Sequence, residues 1–245
     1  MSLSSLFRTL LPAALLSCVL IFPAHAAPSV KDTVSSVQSM YQQMKDFRAD
    51  FVQELMHQES GTTEVRKGTL LFKKPMLVRW ESVAPHPELL LAGKNEIWNW
   101  LPDEEIAYRY HLDMAKDSRS LLSVLTGQSP LNRDFDVELM LDTPAGEDVQ
   151  AEKDAGVLDA VHLLLYPKEP TAQMVEVQLW IDPKSHLIRR AQVMDFYGNT
   201  NRVTFAKLQP DAGLKNSAFD FTPPEGTEVE DHRQDGAAPS NMMLK

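Results

Sequence analysis

Cysteine is nearly absent. The 245 residues hold one, Cys18, inside the opening stretch MSLSSLFRTLLPAALLSCVLIFPAHA. That stretch has one early arginine (Arg8), an apolar run from Leu10 to Phe22, a break at Pro23 and the small-x-small triplet Ala24-His25-Ala26. This is the pattern of a secretory signal peptide over residues 1–26. A lipid-modified Cys18 is the rival reading of LLSC, but Leu16 fits such a cleavage box poorly and the apolar run passes straight through the cysteine. With the leader gone no thiol remains, which excludes disulfides and a thiol nucleophile. Long apolar runs are missing as well. Nothing after Ala26 approaches the roughly 20 residues that a membrane helix needs, so the mature protein is expected to be soluble. A basic stripe is also lacking: the formal charge is -10, and loss of Arg8 with the leader makes it more negative still. That balance argues against nucleic acid or anionic membrane as partner. The fold must therefore hold by its core, and a mature chain of this length suffices for one large domain.

Catalytic signatures are equally scarce. There is no G-x-S-x-G, no H-E-x-x-H, no glycine-rich phosphate loop and no C-x-x-C. His57, His86, His111, His162, His186 and His232 are scattered one per segment, without a second histidine at ligand spacing, so no metal site is expected. The acids Asp103 to Glu105 fall in a turn, where carboxylates are ordinarily solvated. The expectation is a protein that is not an enzyme and needs no cofactor.

What the chain does contain is one helix and many strands. Val30, Val34, Val37, Tyr41 and Met44, with Met40 beside them, recur at three-to-four residue spacing and predict an amphipathic helix. Eleven strands follow: FRADFVQELMHQ, EVRKGTLLFKK, MLVRWESV, ELLLA, EIWNWL, EIAYRY, FDVELMLD, LDAVHLLLY, MVEVQLWID, HLIRRAQVMD and NRVTFAKL, with turn signals between them. MAKDSRSLLSVLTGQSPLNR reads as a short helix capped by Ser118 or Ser120 and stopped at Gly127, and the acidic segment 142–156 reads as a mobile loop. The tail 232–245 has no periodicity and is expected to be disordered.

The stretch GTLLFKKPMLVRW places an ammonium group at the end of an apolar strand. Strand alternation sets Leu70, Phe72 and Lys74 on one face, and after the proline bend Val78 and Trp80. Leu89 with Leu91 and Trp98 with Trp100 are expected to continue that face, so that three of the four tryptophans share one concave wall. A curved antiparallel sheet crossed by a helix, with SLLSVL nearby, can enclose a ligand chamber, although a dry core would use the same residues.

In order and separation, GTLLFKKPMLVRWESVAP, IWNWLP, DFYGNTNRVTF and FDFTPPEGTEVED resemble the LolA family, the periplasmic carriers of outer-membrane lipoproteins. The resemblance runs from Val30 to about Asp231, and its most specific piece is the F-x-F-x-P-P-x-G ending. It implies residues 27–231 as the carrier domain: a mainly β, half-open, highly curved antiparallel barrel of eleven strands under a helical lid. It implies a monomer that takes acylated lipoproteins from an ATP-driven releasing complex of the inner membrane and hands them to an outer-membrane acceptor. The acyl-binding residues would be Val34, Val37, Met40, Met44, Leu70, Phe72, Val78, Trp80, Leu89, Leu91, Trp98, Trp100, Leu121, Leu122 and Leu125, with Lys74 as the latch of the SLLSVL lid. The family ordinarily has arginine where this chain has Lys74, and a point charge in place of a planar five-donor fork implies looser closure. Other classes stay open: a carrier of a glycolipid or phospholipid, a periplasmic lipoprotein-sensing regulator, or an esterase.

Overall fold

The computed structural model describes residues 29–111, 124–127, 130–140 and 149–233. Helix α1, Val30–Gln43, begins where the Ser29 hydroxyl accepts the Asp32 amide and Asp32 complements the positive end. It ends as Met44 turns extended and donates its amide to the Met40 carbonyl. From there the chain runs β1 (Asp46–His57), β2 (Thr62–Lys73), β3 (Leu77–Ala84), β4 (Glu88–Ala92), β5 (Glu96–Leu101) and β6 (Ile106–His111). After the short helix α2 (Leu131–Asp134) come β7 (Phe135–Met140), α3 (Val149–Asp154), β8 (Val161–Pro167), β9 (Glu176–Ile181), β10 (Ile188–Met194), β11 (Thr200–Pro210) and β12 (Glu228–Asp231).

The twelve strands of the described residues form one open sheet in the order β12-β6-β5-β4-β3-β2-β1-β11-β10-β9-β8-β7. Two antiparallel meanders are joined where β1 pairs with β11, Phe51 opposite Phe205. The result is an open, curved half-barrel with α1 laid on its concave face. The concave rows are apolar: Phe47, Phe72 and Val78 face one another across β1, β2 and β3, and Ala49, Leu70 and Trp80 form the next row. These residues and Val34, Val37, Tyr41 and Met44 of the α1 segment belong to one buried cluster. Gly68 lets the strands pack this tightly. A Cβ there would lie 2.0 Å from the Glu81 carbonyl oxygen and 2.7 Å from the Phe51 ring, whose centroid stands 4.4 Å from that of Trp80.

The eleven sequence-derived strands are all present. The twelfth, β12, pairs in parallel with β6, Glu228 opposite Ile106. Its sequence EVED carries one apolar residue and is mostly exposed, so it has no alternation by which to be read. Order also extends into the expected tail: His232 donates its amide to the Arg109 carbonyl (2.8 Å) and stacks on Tyr110, ring centroids 5.4 Å apart. The acidic segment 142–156 is likewise not a plain loop, because residues 149–154 are helical. Glu152 of α3 is buried and accepts from Arg190 Nη1 at 2.6 Å, while Arg190 Nε donates to Thr204 and its guanidinium lies over Trp180. A buried, hydrogen-bonded ion pair with the sheet orders what local sequence leaves undecided. Among the described residues no helix is long and apolar enough to cross a membrane.

Candidate functional site: a covered apolar face and its lysine clasp

β2 ends with its alternation intact. Leu70 and Phe72 are fully buried on the concave side, and Lys73 points the other way, donating to the Leu214 carbonyl at 2.6 Å. Lys74 resumes the concave direction and its Nζ donates to the carbonyls of Tyr41 (2.7 Å) and Gln42 (2.6 Å). Those are last-turn carbonyls of α1, a turn that has no basic residue of its own. A helix end leaves such carbonyls without intrahelical partners, and a cation there also meets the negative end of the helix dipole. Burial pushes the Lys74 amine below the usual lysine range, against an opposing pull from Asp211. Among the described residues the partners of Lys74 are thus backbone carbonyls of α1. Of SLLSVL, expected as the element that Lys74 latches, only Val124 and Leu125 are described, and they pack into the core.

Tyr41 is the hub of this corner. Its hydroxyl accepts the Ile188 amide at 3.2 Å, and burial drives its ionisation far above the normal tyrosine range. Against its Cβ lies Gly127 with φ of +69°, where an added Cβ would come within 2.3 Å of Tyr41 Cβ. The stop signal at Gly127 therefore marks both a left-handed turn and a close approach. The candidate caps Ser118 and Ser120 lie outside the described residues. Tyr41, Gln42, Lys74, Pro75, Thr126 and Gly127 line a cleft of about 570 Å³ beside the clasp.

Val34, Val37, Met44, Leu70, Phe72, Val78, Trp80 and Leu125 all enter the concave cluster, with Met40 packed at its edge. Leu121 and Leu122 lie outside the described residues. Leu89, Leu91, Trp98 and Trp100 do not join that wall. In the β3–β4 register Trp80 stands opposite Leu90, so Leu89 and Leu91 point away, and Trp98 and Trp100 face them from β5. They form a second cluster with Ala107 and Phe221 on the convex side. One tryptophan of the three, Trp80, is concave. The triplet Leu89-Leu90-Leu91 is apolar at every position, so alternation could not reveal which residues face in. Leu90, Phe47 and Phe51 are among the cluster members absent from the sequence-derived set, although β1 alternation marks both phenylalanines.

Toward the other end the same face turns polar. Arg66, two positions beyond Gly68 on β2, contacts Glu64 (2.6 Å) and Glu88 (3.0 Å), and burial raises the Glu88 carboxyl despite Arg66. Gln53 donates to Asn201 at 3.0 Å in the buried interior. Apolar chains would therefore find matching surface on the half nearest Lys74, under α1.

A model of the outer membrane lipoprotein carrier protein LolA matches residues 42–222. The chain belongs to the LolA family. An outer-membrane lipoprotein carrier protein of Nitrosomonas europaea is 24% identical over 222 residues, 91% of this chain and 98% of the relative. One from Cupriavidus necator is 27% identical over 221 residues, 89% and 94% of the two chains. Among solved structures, an uncharacterized conserved protein from Thermus thermophilus shares the fold with a TM-score of 0.50 and 12% identity, covering 83% of this chain and 99% of that one. The LolA family is one of lipoprotein carriers rather than of enzymes. Nearly all of α1 precedes the matched residues, so its part in the site rests on the geometry above.

Proposed function

We propose that this LolA-family chain shields the acyl chains of lipoproteins in the periplasm, receiving them from an ATP-driven releasing complex of the inner membrane and passing them to an outer-membrane acceptor. Residues 1–26 act as a cleaved leader and residues 27–231 as the carrier domain. The observation that carries the reading is an apolar concave face covered by a helix whose C-terminal carbonyls are clasped by Lys74. Each methylene hidden from water is worth about 0.8 kcal/mol, so several acyl chains cannot cross water unshielded. A carrier must also release, and cargo shifts an open–closed equilibrium only by its differential affinity for the two states. Two clasp hydrogen bonds contribute about 1–3 kcal/mol together, weak enough for entering chains to displace α1.

The reading is tested by purifying the mature protein gently from a periplasm, identifying co-purified lipid by mass spectrometry and titrating the protein with a fluorescent fatty-acyl probe. Bound lipoprotein and saturable probe uptake are expected. Phospholipid or glycolipid as the sole cargo would reassign the substrate, and an empty protein that takes up no probe would end the carrier reading.

A further inference from the structure

The β10–β11 turn presents two neighbouring aromatic rings to solvent. Phe196 and Tyr197 are 72% and 74% exposed, the highest values for large apolar side chains among the described residues. Their rings meet edge to face, centroids 5.7 Å apart. The turn beneath them is fixed. One oxygen of the Asp195 carboxylate accepts the amides of Tyr197 and Asn199, both at 2.9 Å, and the other accepts Asn199 Nδ2 at 2.8 Å. Gly198 takes φ of +81° and donates its amide to the Asp195 carbonyl. The flanks are tied as well: Phe196 donates its amide to the Ala172 carbonyl in the β8–β9 connection, and Gln58 in the β1–β2 turn donates its amide to Asn199 Oδ1. Two large apolar rings on an ordered turn lose little conformational freedom on binding, which is what favours aromatic anchors at protein interfaces.

Their place in the fold separates them from the lysine clasp. β11 begins at Thr200 opposite Met56 and ends at Pro210 opposite Phe47, near the Lys74 turn. At 3.3 Å per residue the tip stands about 33 Å along the strand from that end. We infer that the Phe196–Tyr197 tip is a docking element for a partner protein whose apolar pocket admits both rings and whose rim can hydrogen-bond the Tyr197 hydroxyl. Two other occupants fit less well. A chain of net charge -10 is repelled by an anionic bilayer. A tip-to-tip pair of copies would bury roughly 1,000 Å² at most, short of the roughly 1,200–2,000 Å² of a stable interface. A pocket on a folded partner encloses the same rings and adds contacts from its rim to the turn around them, and contact here leaves α1 and Lys74 free to move while the partner is held.

The test assays rest on the carrier reading, so probe binding in solution is measured alongside them. The double variant Phe196→Ser/Tyr197→Ser is compared with wild type and with Phe196→Tyr/Tyr197→Phe, which keeps two rings. Lipoprotein release from spheroplasts and transfer to isolated outer membranes are followed, with sedimentation on protein-free phosphatidylethanolamine/phosphatidylglycerol vesicles and sedimentation equilibrium as controls. The expected result is a loss of about tenfold or more in release or in transfer for the serine variant, with acyl-probe affinity and melting temperature unchanged and the ring-preserving variant active. Serine-variant activity equal to wild type in both assays overturns the inference. So does wild-type binding to bare vesicles, or self-association, that the serine changes abolish. A wild type that binds no probe and supports neither assay would instead sink the carrier reading.

Discussion

Among the described residues, the cation that meets the last turn of α1 is Lys74, whose ammonium reaches the Tyr41 and Gln42 carbonyls. Lys74→Leu removes the donors and adds apolar surface at the mouth, and both changes favour a filled cavity over an empty closed one. The variant is expected to load lipoprotein from spheroplasts normally and to deliver it about tenfold more slowly or worse, in line with two lost hydrogen bonds. Transfer to a purified acceptor at the wild-type rate would make Lys74 an ordinary edge-strand lysine. Tyr41 offers an independent readout of the same corner. Its folded-state ionisation is raised by burial, whereas the unfolded chain ionises near the ordinary value of 10.0. Its contribution is therefore complete below about pH 10 and is lost as pH rises beyond that, because only the unfolded state releases the proton. Tyr41→Phe should be less stable than wild type at pH 7 by about 1–3 kcal/mol, through the unpaired Ile188 amide, and the gap should narrow above pH 10. Urea unfolding at a series of pH values measures both.

At the scale of elements, β2 and β3 could be assigned faces from their alternation, and β4 could not. Leu70, Phe72, Val78 and Trp80 landed on the concave side as their spacing predicts, whereas Leu89 and Leu91 follow a register set by the pairing of Leu90 with Trp80. The consequence is a sharp contrast between two tryptophans. Trp80→Glu is expected to abolish fluorescent acyl-probe binding. Trp98→Glu, on the convex side among Leu91 and Phe221, should destabilise the fold yet leave probe affinity within about twofold wherever the protein remains folded. Probe titration alongside circular dichroism separates the two, and equal loss from both would mean that the cargo lies elsewhere than under α1. The pairing of α3 with Arg190 teaches the complementary lesson. VQAEKD is made largely of helix formers but is too short to hold a helix alone within an acidic Gly/Pro-bearing stretch, and Glu152 meets Arg190 across 38 residues of sequence to anchor it.

The described residues form an open sheet of twelve strands whose concave face is covered by a helix, and the proposed function depends on that helix moving. Amide hydrogen exchange gives the direct check. Loading with a saturating acyl probe should raise exchange across α1, at residues 30–43, while the β1–β2 and β1–β11 pairs stay protected. Unchanged protection of α1 on loading would place cargo entry on a different edge of the half-barrel.

Sequence by itself determined eleven of the twelve described strands, the amphipathic helix, the apolar face of β2 and β3 and the family resemblance, because each rests on local periodicity or a short motif. The chain's single cysteine, Cys18, and its acidic balance also narrow the chemistry. Tertiary structure alone decided what Lys74 holds, because a lysine's alternation tells its face but not which carbonyls cross its path. It decided the parity of Leu89-Leu90-Leu91, where a uniformly apolar run has no phase of its own, and the identity of β12, which becomes a strand only by pairing with β6. Pairing partners and register are properties of segments far apart in sequence, and a single chain read locally contains no term for them.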